Sequence, residues 1–88
     1  RIFVHHGHLY TREKLASWLP KDTLVISGHT HVTVLEKDGD LCYFNPGSIS
    51  LPKCDDGKTC GIIEEIENGK LKIEIYTIEG KLLRETVF

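Results

Sequence analysis

The sequence lacks three features that would each indicate a class of protein. No apolar run approaches the ~20 residues that a membrane-spanning helix needs. No secretory signal pattern is visible at the start of the chain. The formal net charge is −2, without the basic excess that attracts nucleic acid or anionic lipid. We therefore expect neither membrane insertion nor specific binding of nucleic acid.

The cysteines lack an obvious pairing. There are three of them, at positions 42, 54 and 60, and no C-x-x-C spacing typical of a metal site is present. Without a signal segment, an odd number of cysteines favours reduced thiols and a cytoplasmic location. Cys54 and Cys60 flank a polar loop, and whether they ever pair is left open by the sequence.

The chain also lacks a lead-in segment. It begins with Arg1 rather than methionine, and residue 2 already belongs to an apolar run typical of a strand. We therefore expect residues 1–88 to be the C-terminal portion of a longer protein. At this length they form at most one domain.

Apolar patterning predicts a βαβ unit in the first third of the chain. Strands are predicted over residues 2–5 and 24–27, with a helix over about 12–19 between them. Thr11 is the predicted N-cap, and Pro20 ends the helix. The two strands should be parallel, because a crossover of this length joins parallel neighbours. Both would then end at the same carboxyl edge, where open α/β sheets bind ligands.

The remainder of the chain reads as antiparallel β-structure. Turn signals such as Asp38-Gly39 and Asn68-Gly69 separate predicted strands over 32–36, 41–44, 61–67, 71–78 and 81–88. On the helix, Leu15, Trp18 and Leu19 have the spacing of a core-facing stripe. The fold class is therefore α/β (α+β), with one βαβ unit followed by an antiparallel meander.

Four of the five histidines occur in two His-x-His pairs, each placed just after one of the two parallel strands. His6-Gly7-His8 follows the first strand and His29-Thr30-His31 the second. Neutral imidazole is the commonest metal ligand in proteins. Since residues i and i+2 of an extended segment point the same way, both pairs can converge on a metal at the sheet edge. His5 would point away from His6 and is left outside the site.

Two polar residues of the turn Asn45-Pro46-Gly47-Ser48 are further candidates. Ser48 can donate a hydrogen bond to a substrate oxygen or cap its own turn, and both roles are equally open for Asn45. Carboxylates near the histidines are few, and Asp55 and Asp56 reach them only if their polar loop folds over the site. No Ser-His-Asp grouping stands out.

These motifs occur in a recognisable order: His6-Gly7-His8, then Gly28-His29-Thr30-His31, then the Asn45–Ser48 turn followed by Leu51-Pro52. The combination closely resembles the C-terminal half of the calcineurin-like metallophosphoesterases, in their small bacterial and archaeal phosphodiesterase branch. The resemblance implies a β-sandwich flanked by helices, with a two-metal site at the carboxyl ends of the central strands. It implies that His6 and His29 bind one metal and His31 the other.

The resemblance also implies a reaction. In the family, a hydroxide bridging two divalent ions (Mn, Ni, Fe or Zn) attacks the phosphorus of a phosphodiester or phosphomonoester. His8, Asn45 and Ser48 would be catalytic candidates that face the substrate or support the ligands.

The chain departs from the family in its carboxylates. The Asp-x-His and Gly-Asn-x-Asp motifs, which supply the bridging carboxylate and other ligands, do not occur in it. We therefore expect this chain to hold the histidine half of the site. Alone it should be inactive, and it should associate with the missing N-terminal half or with itself.

Two other interpretations stay open. One branch of the fold, a subunit of the retromer coat, serves mainly in protein assembly, so a non-catalytic scaffold is possible by the same resemblance. A mononuclear zinc or nickel site built from the histidines is the second. The presence of His6, His29 and His31 together favours the enzyme, because a scaffold would be free to lose them.

Overall fold

The computed structural model describes residues 1–7, 10–53 and 57–88. Within these ranges the chain forms, in order, β1 (Ile2–His5), α1 (Arg12–Trp18), β2 (Thr23–Ser27), β3 (Val34–Asp38), β4 (Leu41–Asn45), β5 (Thr59–Glu65), a 3₁₀ turn (Glu67–Gly69), β6 (Leu71–Thr77) and β7 (Leu82–Val87). The predictions that concern His8, Cys54, Asp55 and Asp56 lie outside the described residues. No helix in the described ranges is long and apolar enough to cross a membrane.

The predicted βαβ unit is confirmed. β1 and β2 pair in parallel, with Ile2 opposite Leu24 at one end and His5 opposite Ser27 at the other. The hydroxyl of Thr11 caps the connecting helix by accepting a hydrogen bond from the Lys14 amide at 3.2 Å. Both predicted ligand segments therefore leave the sheet at its carboxyl edge.

The strands after residue 31 divide between two sheets. β3 and β4 form the predicted antiparallel hairpin, and β4 also pairs in parallel with β2. The four-stranded sheet has the order β1-β2-β4-β3, and β5, β6 and β7 form a separate antiparallel sheet. The fold class is confirmed. The predicted meander is not continuous, because β4 lies between β2 and β3 in the first sheet and only β5, β6 and β7 follow one another in the second. As a result, β4 ends at the same edge as β1 and β2.

The two sheets pack face to face and share the main core. Its buried side chains come from both sheets: Leu24, Cys42, Phe44, Ile73 and Ile75. The other face of the four-stranded sheet is covered by α1, through Leu15 against Val25, Leu41 and Tyr43. The molecule thus has three layers, with the four-stranded sheet in the middle.

The helix contributes less to the core than its spacing predicted. Leu15 is 1% exposed, but Trp18 is 57% exposed. The Trp18 ring stacks on Tyr10 and meets Phe3 edge-on, with centroids 5.8 and 5.4 Å apart. The prediction that Trp18 faces the core is therefore wrong, because its ring lies over these two aromatic rings at the margin of the layer.

A glycine in β5 is required by the contact between the two sheets. A Cβ atom at Gly61 would overlap the end of the buried Phe44 ring and lie 3.0 Å from Cβ of Pro46. We expect Gly61→Ala to lower the free energy of unfolding by ~1–3 kcal/mol, the usual effect of overpacking, as measured by urea unfolding.

The control for this prediction is Gly28→Ala. Among the described residues, a Cβ there would meet only the His6 carbonyl oxygen, at an ordinary 3.8 Å. The free energy of unfolding of Gly28→Ala should be unchanged or slightly raised. Equal losses in the two variants would contradict the packing argument.

Candidate metal site at the sheet edge

The two predicted ligand segments, which follow β1 and β2, are held together by their backbones. The Gly28 amide donates a hydrogen bond to the His6 carbonyl oxygen at 3.2 Å. Gly7 has a φ of 113°, and a Cβ on it would lie 2.6 Å from the Gly28 carbonyl oxygen and 3.2 Å from Cβ of His29. Only glycine permits this approach. It brings the rings of His6 and His29 to a centroid separation of 4.9 Å, at an interplanar angle of 54°.

The backbone after β2 is not extended, contrary to the prediction for His29 and His31. His29 and His31 have φ values of 71° and 61°, in the left-handed region. The rule that residues i and i+2 of an extended segment point the same way therefore does not apply to His29 and His31. The chain turns sharply here, with the Thr30 amide donating to the Gly28 carbonyl oxygen at 2.8 Å. Left-handed non-glycine residues cost ~1–3 kcal/mol each and are retained where surrounding contacts fix them, often at functional sites.

His31 is oriented by a different part of the chain. Its Nδ1 lies 2.8 Å from the carbonyl oxygen of Leu51. A carbonyl oxygen can only accept, so Nδ1 carries the proton and the neutral ring presents the lone pair of Nε2. The Lys53 amide donates to the His31 carbonyl oxygen at 3.1 Å and holds its backbone from the same side.

The structure brings together two of the three predicted metal ligands as a close pair, His6 with His29. Among the described side chains, no three His, Cys, Asp or Glu residues are grouped closely enough to hold one metal ion. His31 is therefore not part of a three-histidine cluster with the other two. This division agrees with the one implied by the family resemblance, and the assignment of the ligands stays a prediction.

Asn45 and Ser48 both make side-chain hydrogen bonds near the predicted ligands. Asn45 is 2% exposed, and its amide nitrogen donates to the Gly28 carbonyl oxygen at 3.2 Å and to the Thr30 hydroxyl at 3.1 Å. Its Oδ1 accepts from the Gly47 amide at 3.0 Å. Ser48 Oγ accepts from the Leu51 amide at 2.9 Å. Ser48 thus caps its own turn, whereas Asn45 caps the turn and also contacts the segment after β2; a catalytic role for either residue stays a prediction.

His5 lies behind the pair, on the helix side of the sheet. Its ring packs between Phe3 and Tyr10, with centroids 5.7 and 5.8 Å away. Burial, and to a smaller extent the neighbouring charge of His6, lowers the pKa of His5 below its ordinary value. A half-buried ring in an aromatic cluster fits a packing role, and the exclusion of His5 from the site stays a prediction.

Sequence reasoning missed one partner of His31, the Leu51 carbonyl oxygen, and one groove. It also missed the Thr30 hydroxyl, which accepts from Asn45, although Thr30 stands inside the Gly-His-Thr-His motif. An open groove of about 430 Å³ runs beside His29 and His31, with Ser48, Ile49 and Cys60 among its lining residues. None of its lining residues in the described part of the chain carries a formal charge.

A comparison with known families decides what kind of domain this is. The family model for the calcineurin-like phosphoesterase superfamily domain matches residues 1–68. The chain belongs to this superfamily. The family predicted from the histidine and Asn-Pro-Gly-Ser motifs is therefore confirmed.

Curated phosphoesterases are similar to this chain over part of their length. The phosphodiesterase YfcE of Escherichia coli is 42% identical over 64 residues, which cover 73% of this chain and 34% of YfcE. A probable metallophosphoesterase of Methanothermobacter thermautotrophicus is 31% identical, over 100% of this chain and 53% of the relative. The chain thus spans about a third to a half of the length of these relatives.

Solved structures superpose closely on this chain. The E. coli YfcE phosphoesterase superposes with a TM-score of 0.78 at 30% identity, over 97% of this chain and 44% of YfcE. Vps29 of Entamoeba histolytica, solved in complex with Zn²⁺, superposes with a TM-score of 0.65 at 28% identity, over 99% of this chain and 53% of Vps29. The phosphoesterase fold is therefore confirmed for this chain.

Proposed function

We propose that this chain supplies the histidine ligands of a two-metal phosphodiesterase that hydrolyses small-molecule phosphate esters. The observation that carries the proposal is the pair of His6 and His29, with rings 4.9 Å apart at the carboxyl edge of a parallel sheet. Membership of the calcineurin-like phosphoesterase superfamily and similarity to YfcE support the reaction class.

The donor set fits divalent metals of the first transition series. The ring nitrogens of His6 and His29 would hold one ion and Nε2 of His31 the other; imidazole suits zinc, iron and nickel, and manganese accepts it alongside carboxylates. When bound, such ions activate hydroxide at neutral pH and offset negative charge on the phosphoryl oxygens. Two imidazoles leave a coordination shell incomplete, so the proposal requires further ligands, including a carboxylate, from outside the described residues.

The chain's own residues would prepare this site and receive the substrate. The Leu51 carbonyl fixes the tautomer of His31, so that Nε2 needs no proton loss before binding a metal. The groove beside His29 and His31 would take the organic group of the ester. We expect an apolar or aromatic substituent there, because Ile49 is exposed in its wall and the described lining residues carry no formal charge.

Metal binding gives a test that needs no turnover. A metal that binds only the folded chain raises its stability by ~2.7 kcal/mol at a free concentration one hundred times the dissociation constant. We expect zinc or manganese to raise the melting temperature of the chain. His29→Ala should abolish this increase, because it removes one half of the close pair.

The control for metal binding is His5→Ala. His5 packs against Phe3 and Tyr10, so its replacement should lower the melting temperature of the metal-free chain and leave the metal-dependent increase intact. If His29→Ala kept the full increase, the proposed ligand role of His29 would be wrong.

A non-catalytic scaffold is the second candidate, supported by the structural similarity to Vps29. The mononuclear module is a third possibility. Metal analysis of the complete protein distinguishes these proposals from the enzyme. Two metals per protein together with turnover of a phosphodiester support the enzyme, one metal without turnover supports the mononuclear module, and assembly without turnover supports the scaffold.

We also propose a cytoplasmic location, on the basis of the thiols. Cys42 and Cys60 are both free cysteines, and Cys42 is buried. Two thiols without a disulfide partner among the described residues fit a reducing compartment. Localisation of a tagged protein in its own cell would test this.

A further inference from the structure

We propose that the turn formed by residues 45–48, here called the bracket turn, holds the two predicted metal-binding segments through two separate contacts. In this proposal Asn45 positions His29 and Ser48 positions His31. Both are positioning residues rather than groups that touch the substrate. The link to metal affinity rests on the proposed function, whereas the positioning itself concerns only contacts within the chain.

Asn45 acts on His29 through hydrogen bonds to the residues on either side of it. The Asn45 amide group donates to the carbonyl oxygen of Gly28 and to the hydroxyl of Thr30, the residues immediately before and after His29. Fixing both neighbours restricts the backbone of His29, which has the unusual φ of 71°. Asn45 is 2% exposed, so water does not compete well for these bonds. The left-handed conformation of His29 is therefore fixed by Asn45.

The contact to His31 passes through Leu51. Ser48 Oγ accepts a hydrogen bond from the Leu51 amide at 2.9 Å, and the carbonyl oxygen of Leu51 accepts from Nδ1 of His31 at 2.8 Å. Ser48 therefore fixes the residue whose carbonyl selects the His31 tautomer. None of the hydrogen bonds of Asn45 reaches Leu51 or His31, so the two contacts are separate.

The bracket turn is itself fastened to the second sheet. The Thr59 hydroxyl donates to the Pro46 carbonyl oxygen at 2.7 Å, and the Thr59 amide donates to the Ser48 carbonyl oxygen at 3.0 Å. Thr59 is 1% exposed and is the first residue of β5. The turn therefore has a rigid support from which to hold both segments.

Nuclear magnetic resonance of the metal-free chain tests each contact separately. A positive φ gives a strong cross-peak between a residue's own amide and Hα protons, so wild-type His29 should show one. Asn45→Ala should weaken this cross-peak and leave the ring nitrogen shifts of His31 unchanged. Ser48→Ala should shift neutral His31 away from the Nδ1–H tautomer at pH 8 and leave the His29 cross-peak unchanged.

Two further variants keep the test decisive. Thr30→Val removes one of the two bonds to Asn45, together with the bond that the Thr30 hydroxyl accepts from the Val32 amide, and should weaken the His29 cross-peak even if Asn45→Ala fails to fold. Thr23→Val is the control, because it removes a threonine hydrogen bond, to the Pro20 carbonyl at 2.8 Å, at the opposite end of β2. It should change neither signal.

Zinc affinity provides the functional readout. Loss of a group that orients a metal ligand typically lowers affinity by about 10–100-fold, and we expect about 10-fold for Asn45→Ala, which acts on the ion at His6 and His29. Ser48→Ala acts on the second ion, at His31, so a comparable loss is expected only in the complete protein. The proposed role of the bracket turn is overturned if His29 and His31 keep their wild-type signals in these variants, or if Thr23→Val changes them equally. A wild-type chain that binds no zinc would contradict the proposed function instead, and the resonance signals would still test whether the bracket turn positions the two histidines.

Discussion

Replacing His29 by alanine is expected to lower phosphodiester hydrolysis by the complete enzyme at least about 100-fold, and by several orders of magnitude if the metal is lost outright. The ring of His29 is half of the close pair with His6, at a centroid separation of 4.9 Å. Removing it takes away a proposed ligand of a cation that stabilises phosphoryl charge in the transition state. Electrostatic stabilisation of this kind is worth ~3 kcal/mol or more.

The measurement is the rate of release of an aryl leaving group from a generic phosphodiester, with manganese in excess. His5→Ala is the control, since His5 belongs to an aromatic cluster behind the site and should retain near-full activity per folded molecule. Near-full activity of His29→Ala under these conditions would refute its assigned role.

The second large effect concerns residues 1–88 on their own. We predict that this chain binds at most one metal, shows no measurable phosphodiesterase activity and associates with itself. Three imidazoles without a bridging carboxylate cannot hold two cations ~3.5–4 Å apart against their mutual repulsion. Activity should therefore appear only when the remainder of the proposed enzyme supplies the other ligands.

Self-association should involve β1. This strand is at one edge of the four-stranded sheet, with Ile2 55% and Val4 67% exposed. An exposed edge with apolar side chains readily pairs with another chain, and an edge-paired or domain-swapped dimer is the expected product. If the proposed N-terminal part instead docks at this edge, mixing the two parts should restore some turnover.

Light scattering after size-exclusion chromatography measures this association. Val4→Lys should shift the chain towards the monomer, because it places a charge on the exposed edge strand. Ile78→Lys is the control, since Ile78 is 49% exposed but lies outside every strand. A wild-type chain that stays monomeric and hydrolyses a phosphodiester would overturn the prediction.

The sequence predicted the parts of this fold that depend on local patterns. Apolar runs marked β1 and β2, Thr11 marked the start of the helix, and the chain between the strands was long enough for the crossover that joins a parallel pair. These features placed both histidine segments at one sheet edge. The family followed from the order of the motifs, and the superfamily match confirmed it.

Non-local pairing and backbone detail were not predictable in the same way. Nothing in the residues of β4 shows that it pairs with β2 as well as β3, because a fully buried strand looks alike in either setting. β3 begins at Val34 rather than residue 32, since the Val32 amide is used by the Thr30 hydroxyl. The left-handed conformation of His29 and the orientation of the His31 ring accompany contacts with Asn45 and Leu51, which are distant in sequence.

Anomalous X-ray diffraction from crystals of the complete protein grown with manganese tests the central claim most directly. We expect one anomalous peak within bonding distance of ring nitrogens of both His6 and His29, and a second peak at Nε2 of His31. We also expect the Leu51 carbonyl still to accept from Nδ1 of His31. Manganese bound elsewhere, with these three histidines left without metal, would contradict their assignment as metal ligands.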